Sequence, residues 1–206
     1  MVQPGKDFFD HAKGHWHKLF FKNNNPIVLE LACGRGEYTV WLAQHYPAKN
    51  FIGVDIRGDR MGKGLQEADV LWLTNFAFLR TIIHHIDQFF AEDEVEEIWI
   101  VHPDPRPKSR DAKRRLTHPR FLSMYEHILK PRWLLRLKTD DIDLFSYSLN
   151  MLHQKWWIIL SQTHDLYQSD LLQDHYGIQT HYEKKFVGQW HTIHYCVSVK
   201  TNPLPW

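Results

Sequence analysis

The sequence predicts an α/β fold built on a mainly parallel, seven-stranded sheet with helices on both faces. Short apolar runs typical of buried strands alternate with longer amphipathic segments along most of the chain. This alternation favours right-handed crossovers between parallel strands. The last two apolar runs have no full helical crossover between them, so we expect the last strand to run antiparallel.

The strands and helices are expected in alternation. In chain order, the strands are residues 27–31, 51–56, 76–79, 97–102, 133–138, 156–161 and 192–199, and the helices are residues 37–45, 59–72, 82–90, 119–129 and 142–154. Prolines delimit several of them, because proline interrupts both helices and strand pairing. Pro26 precedes the first strand, Pro47 follows the first helix and Pro131 closes the fourth helix. Gly62 and Gly64 weaken the prediction of the second helix.

Length and composition favour one globular domain over residues 1–206. Hydrophobic residues make up 43% of the chain and charged residues 24%, and no apolar run approaches the ~20 residues that span a bilayer. The N-terminus lacks a signal-peptide core, and Cys33 and Cys196 do not suggest a disulfide framework. We therefore expect a cytoplasmic protein that does not bind membranes. The 15 histidines are scattered, so no metal site is expected.

A glycine-containing turn and an acid mark a candidate nucleotide site. Gly34 and Gly36 follow the first strand, where glycine lets the backbone turn tightly and approach a ligand. Asp55 ends the second strand and could accept hydrogen bonds from ribose hydroxyls. The glycines alone fit a turn without ligand equally well, and Asp55 shifts the balance toward a ligand site.

The charges of this turn favour a cationic ligand over a phosphate. Thr39 stands where a dinucleotide fold usually has its third glycine, and Glu37 at the helix start would repel a pyrophosphate. Glu30, just before the turn, could instead meet an ammonium group. S-adenosylmethionine carries an ammonium and a sulfonium and no phosphate, so it is favoured over NAD.

A proline-rich loop and a cationic segment follow the fourth strand. Three alternating prolines stiffen residues 102–108 and would hold Asp104 at the mouth of the same cleft. Residues 108–115 carry five cations against a single acid, Asp111, and could bind phosphates. Each feature also has a simpler interpretation, Asp104 as a turn residue and the charge run as a solvated face.

Several motifs together resemble the bacterial tRNA (guanine-N7-)-methyltransferases. In family order they are residues 29–37 (LELACGRGE), 50–56 (NFIGVDI), 103–105 (PDP) with Lys108, 113–117 (KRRLT), 129–131 (LKP), 138–140 (KTD) and 180–186 (THYEKKF). The Pro-Asp-Pro loop with the Lys-Arg-Arg run, and the Thr-x-Tyr-Glu ending, distinguish this family from other methyltransferases. The resemblance implies a Rossmann-like class I methyltransferase fold and methylation of N7 of a variable-loop guanine in tRNA.

The resemblance also implies a role for each site residue. The cofactor S-adenosylmethionine would contact Glu30, Gly34, Gly36, Asp55, Ile82 and Asp104, and Asp104 would be the catalytic acid. The substrate would contact Lys108, Asp140, Thr180, His181, Tyr182 and Glu183, and RNA would contact Arg110, Lys113, Arg114 and Arg115. The expected partner is tRNA, bound by a monomer or homodimer with no obligatory protein partner.

The chain departs from the family pattern at several of these positions. His102 stands where the family often has Phe, and Arg106 where it often has Trp. Ala32 replaces a usual Gly, and Arg132-Trp133 replaces a Gly-rich turn. The pair Ile82-Ile83 falls where relatives usually have Asp-Ala near the adenine ring, which leaves adenine recognition to backbone groups.

Three other functions stay open from the residues alone. A nicotinamide-dependent oxidoreductase would need a third glycine and a phosphate site, and this turn offers neither. A non-catalytic RNA-binding module would not need Glu30, Asp55 and Asp104 together. A methyltransferase acting on another RNA, a protein or a small molecule would share the cofactor turn but would not need the Lys-Arg-Arg run.

Overall fold

The structure is a computed structural model that describes residues 11–175, 177–180, 183–184 and 192–200. In these ranges the strands β1 to β7 are Ile27–Leu31, Asn50–Asp55, Phe76–Arg80, Val95–Val101, Leu129–Thr139, Ile158–Thr163 and His194–Val199. The α-helices α1 to α4 are Glu37–His45, Gly58–Val70, Pro119–Ile128 and Ile142–Gln154. The strands form a seven-stranded sheet in the order β3-β2-β1-β4-β5-β7-β6, which confirms the predicted fold class.

The strand directions agree with the prediction. β1 pairs with β2, and β2 with β3, in parallel, so that Leu31 lies opposite Val54 and Asp55 opposite Arg80. The carboxyl ends of these three strands therefore meet at one edge, where parallel sheets bind ligands. β7 pairs antiparallel with both β5 and β6, as expected for the last strand.

Local signals located some elements better than others. The predicted bounds of β1, α1 and α4 are those observed. Residues 82–90, predicted as a helix, hold a 3₁₀ helix at Ile83–Gln88 whose backbone leaves helical geometry at His85, with φ −113° and ψ 15°. The sequence did not reveal the π-helix Trp16–Phe21 or the 3₁₀ helix Ser109–Arg114.

The chain divides into two compact units, residues 1–98 with 127–130 and residues 99–126 with 131–206. In the first unit, the buried ring of Phe78 packs with Cys33, Val40, Met61 and Ala68. In the second unit, the buried ring of Phe145 stacks on His194, with 5.2 Å between the ring centroids. The single domain expected over residues 1–206 stays a prediction. None of the helices in the described ranges has the length and apolar character needed to cross a bilayer.

Candidate functional site

The turn after β1 is shaped by left-handed backbone at three residues. Ala32, Gly34 and Gly36 have φ angles of 60°, 56° and 72°. A Cβ added at Gly36 would lie 2.1 Å from the ring of Phe78, so a side chain there is excluded by packing inside the first unit. A Cβ at Gly34 would meet no atom within 4 Å. Gly34 is thus the glycine that leaves open space for a ligand, whereas Gly36 serves the close approach to Phe78.

Asp55 ties the end of β2 to this turn. Its Oδ2 accepts a hydrogen bond from the backbone N–H of Gly34 at 2.9 Å, and its Oδ1 accepts one from the N–H of Arg57 at 2.8 Å. A carboxylate has about four acceptor positions, so Asp55 can accept further hydrogen bonds from a ligand's hydroxyl groups. Its position after β2 suits the ribose role that the sequence predicted.

Glu30 is buried on β1 and has no cationic side chain among its described partners. Its Oε2 accepts hydrogen bonds from the N–H of Thr39, at 2.8 Å, and from the Thr39 hydroxyl. Burial raises the pKa of Glu30 to about 8; the Thr39 hydrogen bonds oppose this rise, and the negative charges of Asp55 and Glu37 add to it. A bound cation at Glu30 would favour its ionised form.

Two isoleucines at the same edge remain exposed. Ile56 follows β2 and is 54% exposed, and Ile82 follows β3 and is 45% exposed. The N–H of Thr81 donates to the carbonyl of Asp55 at 3.1 Å and so links the ends of these strands. Aliphatic side chains beside a hydroxyl-binding acid suit the faces of a planar base. The first unit therefore offers acceptors for a cation and a ribose together with apolar surface for an adenine.

In the second unit, the proline loop presents Asp104 to solvent. The Asp104 side chain is 59% exposed; its Oδ1 accepts from the N–H of Arg106 at 3.2 Å, and its Oδ2 lies 3.1 Å from Nη2 of Arg106. Arg115 fastens the same loop, because its guanidinium donates to the carbonyls of Pro105 and Arg106 at 3.1 Å. That guanidinium also lies over the ring of Tyr147, 4.4 Å from its centroid.

The predicted RNA-binding cations differ in their surroundings. Lys108, Arg110, Lys113 and Arg114 are exposed on and beside the 3₁₀ helix Ser109–Arg114. Arg114 lies 3.8 Å from Asp111, a weak surface pair. Arg115 is only half-buried, but its guanidinium is used by the loop carbonyls, so the exposed cations are better placed to meet phosphates.

A buried cluster of charges joins several predicted substrate residues. Nζ of Lys138, on β5, lies 2.6 Å from Oε1 of Glu183, and both side chains are fully buried. The hydroxyl of Tyr167 donates to the same Oε1 at 2.6 Å. Between Glu183 and Asp140 lies His102, with Nδ1 3.0 Å from Oδ1 of Asp140 and Nε2 3.6 Å from Oε2 of Glu183.

The pKa of Glu183 in this cluster is shifted in the opposite direction to the pKa of Glu30. Burial alone would raise the pKa of Glu183, but the nearby His102 ring and the charge of Lys138 hold it well below its usual range. Burial lowers the pKa of Lys138 to about 8, and the attraction of Glu183 opposes this fall. Both groups are therefore ionised near neutral pH and form an internal ion pair.

The remaining substrate residues are only partly described. The hydroxyl of Thr180 accepts a hydrogen bond from the N–H of Glu183 at 3.2 Å, so Thr180 helps to hold this cluster. His181 and Tyr182 lie outside the described residues. Within each unit, the structure thus brings Glu30, Gly34 and Asp55 together, and Asp140, Thr180 and Glu183 together.

The sequence missed the partners that connect these residues. Thr39 was noted only as a missing glycine, and His102 and Arg106 only as departures from a family pattern. Each of them contacts a predicted site acid: Thr39 contacts Glu30, His102 contacts Asp140 and Arg106 contacts Asp104. The available signal was that these polar residues lie close in sequence to acidic motifs. Sequence spacing alone does not show which polar side chain contacts which acid.

Comparison with known proteins places the chain among methyltransferases. The model of the family described as "Putative methyltransferase" matches residues 24–196. The chain is 44% identical to a tRNA (guanine-N(7)-)-methyltransferase of Cytophaga hutchinsonii, covering 95% of this chain and 89% of the relative. It is 48% identical to the protein of that name from Bacteroides fragilis, covering 89% of this chain and 72% of the relative.

Solved structures share the fold at low sequence identity. The 16S rRNA methyltransferase KamB superposes with a TM-score of 0.68 at 11% identity, covering 96% of this chain and 94% of that one. A 16S rRNA (adenine(1408)-N(1))-methyltransferase mutant from Catenulisporales acidiphilia, solved with the cosubstrate SAM, has a TM-score of 0.59 at 13% identity and covers 100% of this chain and 95% of that one. These likenesses concern the fold.

Proposed function

The chain belongs to the tRNA (guanine-N(7)-)-methyltransferase family, and from this premise we propose that it transfers a methyl group from S-adenosylmethionine to N7 of a guanine in tRNA. The observation that supports the proposal most is the likeness to those relatives over nearly the whole chain. The variable-loop guanine is the target that the sequence motifs favour. The acidic, aliphatic edge of the first unit supports the choice of cofactor.

The chain's own residues suit the parts of S-adenosylmethionine. Glu30 would hold the ammonium group, Asp55 the ribose hydroxyls, and Ile56 and Ile82 the faces of the adenine ring. Gly34 leaves the room that close approach to the turn requires. The cofactor supplies an electrophilic methyl group on a positively charged sulfur.

The chemistry asks little of the protein beyond placement and charge. Guanine N7 carries an in-plane lone pair and no proton, so no base is needed to create the nucleophile. Alignment of the two reacting atoms lowers the activation barrier by up to ~7–11 kcal/mol. The guanine ring becomes cationic on methylation, so negative charge nearby stabilises the transition state.

Asp104 is assigned this electrostatic and positioning task, and no proton transfer. Its ion pair with Arg106 does not prevent this, because an exposed pair of this kind contributes only about 0–1 kcal/mol. A guanine edge that offers N–H donors can therefore take the place of Arg106. Asp140, whose side chain is partly exposed, is assigned to accept hydrogen bonds from the same base.

The exposed cations are assigned to the tRNA backbone. Lys108, Arg110, Lys113 and Arg114 lie within seven consecutive residues and face solvent. Contacts to phosphate position a nucleic acid without reading its sequence. Choice of the target guanine then depends on Asp104, Asp140 and the shape of the tRNA.

The test is methylation of unmodified tRNA with labelled S-adenosylmethionine, followed by digestion and chromatography of the nucleosides. We expect the label in 7-methylguanosine, and we expect it to disappear when the variable-loop guanine of the tRNA is replaced by adenine. Label in another nucleoside would favour a different RNA methylation. No transfer to tRNA under any condition would refute the proposal.

Asp104→Ala provides the matched test of the catalytic assignment. We expect turnover to fall about 10²-fold or more, as for loss of a group that stabilises developing charge, while the fold is retained. Asp69→Ala, at an exposed site near the end of α2, is the control and should keep near-normal turnover. Near-normal methylation by Asp104→Ala, with circular dichroism unchanged, would remove Asp104 from the catalytic role.

A further inference from the structure

His102 lies between two acids that come from separate parts of the second unit. It follows β4 with a left-handed backbone, at φ 45°, and its N–H donates to the carbonyl of Lys138 at 2.8 Å. Its ring nitrogens then face Asp140 at 3.0 Å and Glu183 at 3.6 Å. The side chain is only 11% exposed, so neither contact is a solvent-screened surface pair.

The geometry favours a ring that carries both protons. A neutral imidazole has one N–H, so it would turn a lone pair toward one of the two carboxylates. The doubly protonated ring can instead donate toward both. Nε2 is buried and lies just beyond hydrogen-bond distance of Glu183, a distance at which charge attraction remains while a strong hydrogen bond does not.

The charges that face the ring come from every neighbouring element of this cluster. Lys138 lies near the end of β5 and Asp140 just after it, Glu183 faces the other ring nitrogen, and Tyr167 donates to Glu183. Burial and Lys138 lower the pKa of His102, but the hydrogen bond to Asp140 and the negative charge of Glu183 outweigh them and raise it above its usual 6.5. The protonated form therefore persists to higher pH than in a free histidine.

Glu183 and Asp140 have different freedom to meet a substrate. Glu183 is fully buried and already engaged by Lys138 and Tyr167, whereas the side chain of Asp140 is 25% exposed. Of the two predicted substrate acids, Asp140 is thus the one that can face a base. His102 connects it to the fixed charge of Glu183 behind it.

We propose that His102 is a positioning residue for guanine binding: its protonated ring ties Asp140 to Glu183, and affinity for the substrate falls when the ring loses its proton. The inference rests on the proposed function, since it assigns Asp140 to the target base. Because the proton is lost as pH rises, binding weakens on the alkaline side, through the pKa of His102. A purely structural histidine would leave no such dependence.

The experiment compares wild type with two substitutions over about pH 6 to about pH 9. Initial methylation rates are measured with varied tRNA at saturating S-adenosylmethionine, so that KM for tRNA and kcat are separated. For wild type we expect KM to rise about tenfold on the alkaline side, the effect of losing one charge-assisted hydrogen bond, with little change in kcat. His102→Gln carries no titratable proton and cannot donate to both acids, so it should show a raised KM that does not change with pH.

His102→Phe removes both donors and should show a KM about tenfold higher at every pH. His153→Gln, at an exposed site near the end of α4, is the matched control and should keep the wild-type profile. Thermal unfolding of each variant checks the fold. NMR titration of the His102 ring, identified by comparison with His102→Gln, should give the midpoint of the KM profile, and Asp140→Asn should lower that midpoint.

The two possible failures are distinguishable. If wild type and His102→Gln share the same alkaline rise in KM, or if the His102 titration ignores Asp140→Asn, the inference is overturned and the proposed function stands. If wild type forms no 7-methylguanosine at any pH, the proposed function fails and the inference fails with it.

Discussion

Glu30 and Glu183 are both buried glutamates that the sequence predicts to bind a ligand, yet their pKa values shift in opposite directions. Glu30, in the first unit, accepts hydrogen bonds only from Thr39 among the described residues, and burial raises its pKa to about 8. Glu183, in the second unit, is enclosed by Lys138, Tyr167 and His102, and its pKa is held low. The difference lies in whether the chain itself supplies a cation.

The presence or absence of a cationic partner distinguishes a ligand-binding glutamate from a structural one. A buried carboxylate without a cation is costly when ionised, and a cationic ligand removes that cost. A buried carboxylate that is paired with a lysine of the same chain needs no cationic ligand. We therefore infer that Glu30 binds a ligand directly, and that Glu183 acts through the groups around it.

The two acids also have opposite effects on stability as pH changes. The pKa of Glu183 is lower in the folded state, so its contribution is present above its ordinary value of 4.5 and is lost as pH falls through the lowered value. The pKa of Glu30 is raised, so its contribution is present below 4.5 and is lost as pH rises through about 8. A cation bound at Glu30 would restore stability on the alkaline side.

The largest expected effect follows from removing the cation of the second unit. Lys138→Met leaves Glu183 as a buried, partly uncompensated charge, and we expect the free energy of unfolding to fall by ~3–5 kcal/mol. Urea unfolding at neutral pH measures this. The double variant Lys138→Met/Glu183→Gln should recover part of the loss, because it no longer buries a charge. A loss below about 1 kcal/mol in the single variant would contradict the ion pair.

A smaller effect is expected at the cation-free acid. Glu30→Gln should weaken binding of S-adenosylmethionine about tenfold at about pH 8. Below about pH 8, the affinity of this variant should not change with pH. For wild type, affinity should rise as pH approaches about 8, since the ligand favours the ionised form of Glu30 and releases its proton. Calorimetry in buffers of different ionisation enthalpy measures that proton.

Glu183→Gln is the matched control for this prediction. It removes a buried glutamate of the second unit and should leave the pH dependence of cofactor affinity unchanged. If Glu30→Gln binds S-adenosylmethionine as wild type does, or if binding releases no proton near neutral pH, Glu30 does not hold the cation.

The smallest effect concerns cations, for which the same contrast holds. Lys113 and Arg114 are exposed, whereas Arg115 is engaged by the carbonyls of the proline loop. Lys113→Ala/Arg114→Ala should weaken tRNA binding and reduce the salt slope by about one unit per lost phosphate contact, with turnover at saturating tRNA retained. Filter binding at several salt concentrations measures the slope.

Arg115→Ala should behave differently. It releases the loop that carries Asp104, so turnover should fall while the salt slope changes little. An equal loss of salt slope in both variants would mean that Arg115 also contacts phosphate. Unchanged affinity of the double variant at low salt would exclude the exposed cations from tRNA binding.

The sequence by itself determined the features that depend on neighbouring residues. Glycines and prolines, with the period of the apolar residues, located β1, α1 and α4 at their observed bounds and predicted the antiparallel last strand. The acids at the carboxyl ends of parallel strands follow from the same patterns, because strand ends share an edge. The helix predicted over residues 82–90 is observed only as a kinked 3₁₀ helix at Ile83–Gln88, and the apolar spacing did not reveal the kink at His85.

Only the tertiary structure decided which charges have partners. Lys138 and Glu183 are 45 positions apart, and His102 and Asp140 are 38 apart, so no local spacing indicates that they meet. The sequence assigned Glu30 to the cofactor and Glu183 to the substrate, and it did not indicate that the fold pairs Glu183 with a lysine and Glu30 with a threonine. The physical reason is that ionisation and binding depend on burial and on the nearest charges, which the folded chain brings together.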